Sequence, residues 1–339
     1  MRAVALTRYL PIDDPDSLVE VELPDPAPSG RDLLVRVEAV SVNPVDTKVR
    51  APKAQIEAQP KVLGWDASGT VVAIGSEVTL FKPGDAVFYA GDITRAGSNA
   101  QLQLVDERIV GHKPATLDFA QAAALPLTSL TAWELLFQRM RLDGDGGERG
   151  RRLLVIAGAG GVGSMAIQFA KLAGLTVIAT ASRAETQDWC RALGADHVID
   201  HREPLAAGLK SIGLRNVDYI VNFVDTDGYW QQMSELIVPQ GRIGLIVEPK
   251  RDVYVGNPLK DKSVSIHWES MFTRARNRTD DMIEQHRILE RLAELVDSGK
   301  IRSTLQSIFS PINASNLREA HRQSESGTTI GKLVLSGWG

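Results

Sequence analysis

The sequence contains a single cysteine, Cys190, among 339 residues. One cysteine cannot form an internal disulfide or a cysteine cluster that binds zinc, and sparse cysteine is typical of proteins in a reducing compartment. The chain also lacks a basic excess, because 38 lysine and arginine residues are set against 42 aspartate and glutamate residues, for a net charge of -4. Such a balance offers no electrostatic surface for nucleic acid or an anionic membrane. We therefore expect neither partner, and we expect a cytoplasmic protein.

Long hydrophobic runs are also absent. The uncharged stretch 153–170 is as long as a short membrane span, but glycines interrupt it and Lys171 follows it directly. The opening residues MRAVALTRYL have too short an apolar core for a secretory signal. The sequence therefore predicts a first strand at the start of the chain and no membrane span.

What is present is an ordinary globular composition, with 43% hydrophobic and 24% charged residues, in a chain long enough for two domains. As far as residue 126 the pattern predicts short strands separated by proline and glycine turns. These predicted strands are 33–40, 67–74, 86–89 and 102–105. The first part of the chain is therefore expected to be mostly β.

Beyond residue 126, helical and strand patterns alternate. The predicted helices are 128–140, 162–173, 185–193 and 229–236, and the predicted strands are 152–157, 176–180, 197–199, 217–223, 241–247 and 263–268. This α/β alternation predicts a doubly wound parallel sheet of the size that binds dinucleotides. An amphipathic helix at 281–298 and strands at 305–309 and 332–335 follow, and this tail is expected to rejoin the first domain. The predicted domains are thus 1–126, completed by 300–339, and 127–299.

A glycine-rich turn joins the first of these strands to its helix. It consists of Gly158, Ala159, Gly160, Gly161, Val162 and Gly163. Glycines let the backbone bend sharply and approach phosphate oxygens, and a helix N-terminus presents unpaired N–H groups and a positive dipole end. A turn of this kind between a strand and a helix predicts a seat for a dinucleotide pyrophosphate. The alternative is a buried βα unit that binds no ligand.

The end of the next predicted strand, 176–180, indicates which dinucleotide the protein binds. An acid about twenty residues beyond the glycines grips the ribose hydroxyls of NAD, whereas a basic residue there accommodates the extra phosphate of NADP. This chain has Ser182 and Arg183 at that point. We therefore predict NADP(H), with both residues on the 2′-phosphate. The alternative is that Arg183 is only an exposed arginine at a helix start, and Glu185 weakens the prediction slightly.

Several motifs carry a family resemblance. They are NPVDTKVR at 43–50, LGWDASGTV at 63–71, LPLTSLTAWELL at 125–136, GAGGVG at 158–163 and HWESMFTR at 267–274. With them the sequence resembles the medium-chain dehydrogenase/reductase superfamily over essentially its whole length, within it the quinone oxidoreductase branch, and there the zinc-type alcohol dehydrogenase-like proteins. The resemblance implies a GroES-like catalytic domain, a Rossmann domain, an active site in the cleft between them, and a homodimer paired through the Rossmann sheets.

The resemblance does not extend to zinc. Zinc-dependent members have a cysteine where this chain has Asn43 and a histidine where it has Trp65, and the four-cysteine structural zinc lobe is absent as well. The pair His197 and His201 has a spacing that suggests metal ligands, but it lies in a strand pattern without the glutamate of a zinc-protease helix. We therefore expect no metal site. His201 instead resembles an adenosine-stacking tyrosine of related reductases.

The resemblance also implies roles for residues of the first domain. Asn43 and Asp46 would line the cleft beside the nicotinamide and substrate, Thr128 would contact the nicotinamide side, and Trp65 and Tyr89 would form part of the pocket wall. For Asp46 the alternative is a turn or cap carboxylate. Tyr89 is either a proton donor or a packed aromatic.

Further implied contacts lie at strand ends and in the returning tail. They are the backbone of Ile246 and Val247 at the carboxamide, Phe223 and Val224 beside the ribose, and Lys332 at the pyrophosphate. Lys332 is otherwise a solvated charge. Lys48 stands where some related reductases have tyrosine, and its ammonium either stabilises a developing enolate or is simply exposed.

These predictions together define a chemistry. Without zinc there is no Lewis acid to stabilise an alkoxide, so oxidation of a simple alcohol is hard to support. Quinones and α,β-unsaturated carbonyl compounds are easier acceptors, because hydride from C4 of NADPH creates a charge that the conjugated system delocalises. The sequence therefore predicts a zinc-independent NADPH-dependent oxidoreductase acting on quinones or enones. The alternative is a catalytically weak NADPH-binding sensor or structural protein.

Overall fold

A computed structural model of the chain describes all residues, 1–339. In chain order the strands are β1 Arg2–Tyr9, β2 Val19–Glu22, β3 Asp32–Val42, β4 Lys53–Val62, β5 Ala67–Ile74, β6 Ala86–Tyr89, β7 Leu102–Asp106, β8 Val110–His112, β9 Arg152–Ile156, β10 Thr176–Thr180, β11 His197–Ile199, β12 Val217–Asn222, β13 Ile237–Leu245, β14 Ser265–Trp268, β15 Leu305–Phe309 and β16 Lys332–Ser336. The α-helices are α1 Pro44–Arg50, α2 Phe119–Ala123, α3 Pro126–Trp133, α4 Gly161–Leu172, α5 Ala184–Ala192, α6 Leu205–Ser211, α7 Thr226–Leu236, α8 Thr273–Asn277, α9 Glu284–Asp297 and α10 Ala314–Glu325. Short 3₁₀ turns occur at Pro15–Ser17 and Glu107–Ile109, and a π-helix at Glu134–Arg139.

The chain divides into two units. The first comprises Met1–Leu130 and Phe272–Gly339, and the second comprises Thr131–Met271. The second boundary lies well before the predicted one at residue 299, because α9 packs within the first unit. A Cβ on Gly111 of β8 would lie 2.5 Å from Leu289 Cβ, and His286 of α9 lies 2.7 Å from the Val110 carbonyl oxygen. This close contact of α9 with β8 places the amphipathic helix in the first unit.

The second unit contains a six-stranded sheet in the order β11-β10-β9-β12-β13-β14, with every neighbouring pair parallel. Leu154 of β9 lies opposite Ile178 of β10 and Ile220 of β12, and all three are fully buried. Such continuous apolar strands are typical of a parallel sheet covered on both faces. The predicted doubly wound sheet is confirmed. Its strand order brings the carboxyl ends of all six strands to one edge, where nucleotides bind in open sheets.

The first unit is built on two mainly antiparallel sheets, in which only β15 and β16 pair in parallel. A three-stranded sheet has the order β2-β1-β4, and a larger one has the order β15-β16-β3-β5-β6-β8, with β7 also pairing with β3. Strand β16 pairs with β15 on one side and with β3 on the other. Its interior position explains its apolar sequence, and it places the end of the tail in the first unit.

Some elements were not predicted. Residues 44–50 form α1 rather than an isolated turn, because Pro44 occupies the first helical turn and Asp46 binds the backbone at Asn43. Strand β4 escapes pattern analysis because its residues are mostly exposed and polar. Helix α10 is polar apart from a narrow buried face around Leu317 and Ala320.

The predicted helix 128–140 changes type partway. Helix α3 ends at Trp133, and a π-helix continues over Glu134–Arg139, with the Met140 amide donating to the Leu135 carbonyl at 2.9 Å. The wider turn accompanies a hydrogen bond in which Arg139 Nε donates to Glu269 Oε2 at 2.8 Å. Single π turns of this kind often mark functional sites.

None of the helices combines the length and the apolar character needed to cross a bilayer.

Candidate active site

The glycine turn of the second unit is packed tightly where the fold requires it. Ala157, directly after β9, has a φ of 66°, which turns the chain sharply out of the sheet. A Cβ on Gly158 would lie 2.8 Å from Ala179 Cβ, and one on Gly163 would lie 2.2 Å from the Ala157 carbonyl oxygen. Helix α4 therefore approaches the end of β9 more closely than any side chain would allow. These are the packing roles expected of the first and third glycines of a dinucleotide-binding turn.

The middle glycine is different. A Cβ on Gly160 would meet only the Ala157 carbonyl oxygen, at an ordinary 3.5 Å. Gly160 has an extended backbone with φ -72°, and no side chain caps the N-terminus of α4 at this residue. Of the remaining turn residues, Gly161 and Val162 are half-buried and Ala159 is buried. The turn thus leaves an uncapped helix N-terminus beside a glycine with open space, which fits a dinucleotide pyrophosphate.

The end of β10 carries the residues predicted to bind the 2′-phosphate. Ser182 is half-buried, and Arg183 is exposed at the N-terminus of α5, where its amide donates to Thr186 Oγ1 at 3.1 Å. A second arginine, missed by the sequence analysis, lies beside them, since Arg202 Nη2 donates to the Ser182 carbonyl oxygen at 3.1 Å. His201 is exposed just after β11. The structure therefore brings these predicted residues to neighbouring strand ends.

The ends of β12 and β13 complete this edge. Asn222 shapes the turn after β12, accepting from the Val224 amide at 3.1 Å and donating to the Asp225 carbonyl at 2.7 Å. Thr226 Oγ1 donates to the Val247 carbonyl at 2.5 Å. Among the predicted contacts, Phe223, Ile246 and Val247 are half-buried and Val224 is exposed. Sequence analysis missed the two polar residues that hold these turns.

The first unit contains a buried charged network. Lys332, at the start of β16, is only 3% exposed. Its ammonium lies 3.0 Å from the Val42 carbonyl oxygen, 2.5 Å from Asn43 Oδ1 and 3.0 Å from Asp66 Oδ2. Three oxygens thus accept its three hydrogens. Lys332 is not the solvated charge of the alternative interpretation, and the predicted pyrophosphate contact would require it to leave this network.

The same network fixes Asn43 and Asp66. Asn43 Nδ2 donates to Asp66 Oδ2 at 3.0 Å and lies 3.3 Å from the Trp65 carbonyl oxygen. Asp66 Oδ1 accepts from the Leu127 amide at 2.9 Å, at the beginning of α3. The next residue, Thr128, is buried and donates to the Leu125 carbonyl at 3.2 Å. The network therefore ties together α1, α3, β5 and β16, and it occupies both ends of the Asn43 amide.

Asp46 lies beside this network and is 1% exposed. Its Oδ2 accepts from the Asn43 amide at 2.6 Å, whereas Oδ1 has no hydrogen-bond partner in the protein. Burial raises the pKa of Asp46 to about 7, opposed by the hydrogen bond from Asn43 and by the charge of Lys332, and assisted by the charge of Asp66. Asp46 is thus a helix-cap carboxylate, as the alternative interpretation proposed, with one oxygen left uncommitted.

Trp65, Tyr89 and Lys48 were also predicted to belong to the site, and none of their side chains takes part in this network. Trp65 is buried, with its indole N–H 3.3 Å from the Asp92 carbonyl oxygen. Tyr89 is fully buried and donates to Gln103 Oε1 at 2.8 Å, and burial raises its pKa. This is the geometry of a packed aromatic rather than of a free proton donor. Lys48 is exposed on α1, and its role in binding an enolate stays a prediction.

The residues present do not fit a catalytic zinc ion. The two positions at which the resemblance implies ligands in zinc-dependent members hold the Asn43 amide and the Trp65 indole, and an indole N–H cannot bind a metal. The Lys332 ammonium already satisfies Asn43 Oδ1. No group of three or more histidine, cysteine, aspartate or glutamate side chains is arranged to hold a metal ion.

Asp66 and Arg202 are the principal polar residues that the sequence analysis missed. Asp66 lies inside the motif LGWDASGTV, directly before β5. An acidic residue immediately before a buried strand was the signal that could have identified it. Arg202 follows β11 as Arg183 follows β10, so its place at the carboxyl edge could have been inferred from the strand order.

Two family models match the chain. An alcohol dehydrogenase GroES-like domain matches residues 29–126, and a zinc-binding dehydrogenase model matches residues 193–335. The chain is 44% identical to a zinc-type alcohol dehydrogenase-like protein of Staphylococcus aureus (strain COL), over 99% of this chain and 100% of that protein. The GroES-like match and the parallel sheet confirm the predicted fold class.

Solved structures of similar fold cover essentially the whole chain. A protein from Rhizobium etli CFN 42, assigned to the zinc-dependent alcohol dehydrogenases, has a TM-score of 0.94 and 52% identity, covering 100% of this chain and 98% of that one. Escherichia coli quinone oxidoreductase, solved with NADPH, has a TM-score of 0.83 and 26% identity, covering 99% of this chain and 100% of that one.

Proposed function

Because the chain belongs to the zinc-type alcohol dehydrogenase-like proteins of the medium-chain dehydrogenase/reductase superfamily, a family of oxidoreductases that bind nicotinamide cofactors, we propose that it is an NADPH-dependent reductase. Its proposed substrates are quinones or α,β-unsaturated carbonyl compounds, and the reaction is proposed to need no zinc.

The observation that carries the proposal is the contrast between Gly160 and Gly163. A side chain at Gly163 would collide with the backbone of the turn, whereas the space at Gly160 is open beside the uncapped start of α4. The arrangement supports a pyrophosphate on the backbone N–H groups.

The preference for NADPH rests on Ser182 and Arg183. Both follow β10, where a carboxylate would favour NAD, and the exposed guanidinium can form charge-assisted hydrogen bonds to a 2′-phosphate. Arg202 also lies next to Ser182, where its guanidinium forms an ion pair with Asp200. The E. coli quinone oxidoreductase that this fold resembles was solved with NADPH, which is consistent with the same choice here.

The proposal that the reaction needs no zinc depends on the side chains at the two expected ligand positions. Asn43 and Trp65 replace the family's metal ligands, and Lys332 supplies a fixed positive charge within the same network. A bound nicotinamide would supply the hydride. The protein's part is to hold the pyrophosphate on the glycine turn, to orient the adenosine end through Ser182 and Arg183, and to keep α1 and α3 fixed through Asp66. An acceptor that delocalises the incoming charge suits a site without a Lewis acid.

A steady-state assay tests this proposal. Purified protein is mixed with NADPH and a panel of quinones and enones, before and after treatment with a strong chelator, and the loss of NADPH absorbance is followed. We expect turnover with at least one conjugated acceptor, no loss on chelation and a weaker response to NADH. Tight NADPH binding without turnover of any acceptor would favour the second candidate, a catalytically weak sensor or structural protein. Activity that needs a divalent ion would refute the zinc-free proposal.

The assembly is proposed to be a homodimer. Strand β14 is an edge of the six-stranded sheet, and Trp268 on it is 49% exposed. Exposed strand edges carry unpaired backbone groups that favour pairing with another strand. Sedimentation velocity on the purified protein distinguishes a monomer from a dimer. A single species of monomer mass at micromolar concentration would contradict the proposed dimer.

A further inference from the structure

Asp46 has one oxygen that nothing in the protein satisfies. Oδ2 is fixed by the Asn43 amide at 2.6 Å, but Oδ1 is buried and lacks a hydrogen-bond partner. An ionised carboxylate would leave a buried acceptor unpaired, and a neutral carboxyl would leave a buried O–H without an acceptor. Either state is costly unless an incoming group completes it. The helix-capping role of Asp46 needs only Oδ2, so it does not explain the placement of Oδ1.

We propose that Asp46 is the proton donor of the reduction, acting from Oδ1 directly or through one water, and that Lys332 and Asp66 set the pH range in which it carries the proton. The proposal rests on the reductase function proposed above. It assigns to a carboxyl of the first unit the proton that reduction of a conjugated carbonyl compound requires.

The charges around Asp46 come from three elements. Lys332 on β16 favours the ionised form and Asp66 before β5 opposes it. On its own helix, Lys48 is exposed, and Arg50 is directed to His321, with Nε 3.4 Å from Nδ1. Burial is the largest influence and favours the neutral acid. Burial raises the pKa of Asp66 as well, opposed by the Lys332 charge and by hydrogen bonds from Asn43 and the Leu127 amide. Because three donors contact Asp66 and only the Asn43 amide contacts Asp46, the geometry favours the ionised form at Asp66 and the neutral form at Asp46. With the Lys332 ammonium, the buried cluster then carries no net charge.

The step balances as follows for an enone. The β-carbon forms a new C–H bond with the hydride delivered by NADPH, and the electron pair of the carbon–carbon double bond shifts towards the carbonyl oxygen. The proton on Asp46 Oδ1 passes to the resulting enolate, at oxygen or at the α-carbon. The acceptor gains one hydride and one proton, which together are two electrons and two protons, while NADPH becomes NADP⁺ and Asp46 is left as a carboxylate. Solvent then returns the proton, and Lys332 stabilises the carboxylate in the interval.

The first test needs no substrate. Infrared difference spectra of the cofactor-free protein are recorded across neutral pH for the wild type and for Asp46→Asn. The wild type is expected to show a carboxylic acid carbonyl band that disappears as pH rises through about 7, and the variant is expected to lack it. Glu269 contributes a separate band in both proteins. Identical titrations of wild type and variant would overturn the proposal.

The second test uses the pH dependence of kcat. Wild-type kcat should fall as pH rises past the point where Asp46 ionises. Lys332→Met removes the charge that favours ionisation, so its kcat profile and infrared band should move to higher pH by about 1 unit or more. Asp66→Asn removes the opposing charge and should move both to lower pH. Asp46→Asn should lose roughly a hundredfold or more in kcat with a flat profile.

Matched controls separate these shifts from general destabilisation. Lys113→Met removes a partly buried lysine of the same unit, and Asp118→Asn removes another helix-capping carboxylate, at α2. Neither should move the profile. If Lys332→Met fails to fold, the opposite shift of Asp66→Asn still decides. Opposite shifts of the two variants support the proposal, and unmoved profiles refute it. Absence of turnover with every acceptor would refute the reductase function instead, while the infrared titration would still report on Asp46.

Discussion

Two alanine substitutions in one turn should have different consequences, and together they test whether the turn is built for a ligand. A Cβ at Gly163 would lie 2.2 Å from the Ala157 carbonyl oxygen and 2.8 Å from Gly158 Cα. Since both are backbone atoms, α4 must move away from the end of β9. Forced overpacking of this kind costs about 1–3 kcal/mol, and a backbone collision belongs at the upper end. We expect Gly163→Ala to lower the free energy of unfolding by about 3 kcal/mol.

Gly160→Ala is the matched partner. Its Cβ would meet only the Ala157 carbonyl oxygen, at 3.5 Å, so the cofactor-free protein should lose less than about 1 kcal/mol, the cost of alanine at a helix N-cap. The new methyl group would, however, occupy the space through which a pyrophosphate reaches the backbone. We therefore expect Gly160→Ala to raise the dissociation constant for NADPH at least tenfold.

Urea unfolding and NADPH fluorescence titration measure the two effects separately. The reasoning is refuted if Gly163→Ala is as stable as the wild type. It is equally refuted if Gly160→Ala binds NADPH with unchanged affinity, because the open space at that glycine would then serve no ligand.

Three further outcomes are expected. Arg183→Ala should raise the dissociation constant for NADPH roughly ten- to hundredfold and leave that for NADH unchanged, since charge-assisted hydrogen bonds contribute about 1.5–3 kcal/mol; Arg191→Ala on the same exposed helix surface is the control, and equal losses for both coenzymes would contradict the assignment. Burial, with the charge of a neighbouring glutamate, raises the pKa of Glu269 to about 8 from 4.5. The folded protein therefore holds a proton that the unfolded chain releases, and the free energy of unfolding should fall as pH rises between these values. Glu269→Gln should flatten that fall, by on the order of 3 kcal/mol, whereas exposed Glu248→Gln should not, as urea titrations at several pH values would show. Burial raises the pKa of Cys190 to about 12, so a thiol reagent should label it only after unfolding, and rapid labelling of the folded protein would exclude this environment.

Most strands and helices of the second unit could be predicted from the sequence, but α6 and the first four residues of β13 could not. Strands 176–180 and 197–199 were assigned to the residue, because each is a short apolar run bounded by turns. In the first unit, β4 was invisible because its residues are exposed, and α10 because its buried face is narrow. The place of α9 depended on a contact with Gly111, which no local pattern encodes.

The site was predicted unevenly for a similar reason. The glycine turn is a contiguous motif, so its residues could be identified from their spacing. Lys332 and Asp66 are far apart in sequence, and their ion pair follows from the insertion of β16 beside β3. The resemblance implied a pyrophosphate contact for Lys332, with a solvated charge as the alternative, and neither interpretation anticipated its buried ion pair. Hydrophobic periodicity cannot predict which distant charged residues form a pair, because that pairing depends on the sheet topology.

Strand β16 has a consequence for how the protein is made. It is an inner strand of the larger sheet, yet a ribosome synthesises it after the entire second unit. While the nascent chain still lacks that strand, β3 has an unpaired edge and two buried aspartates have no counter-charge. The parallel sheet of the second unit can fold first. The first unit, although synthesised earlier, stays incompletely folded until β16 is available, and it can meanwhile bind chaperones or aggregate. Premature termination shortly before β16 would accordingly disable far more than the few residues it removes.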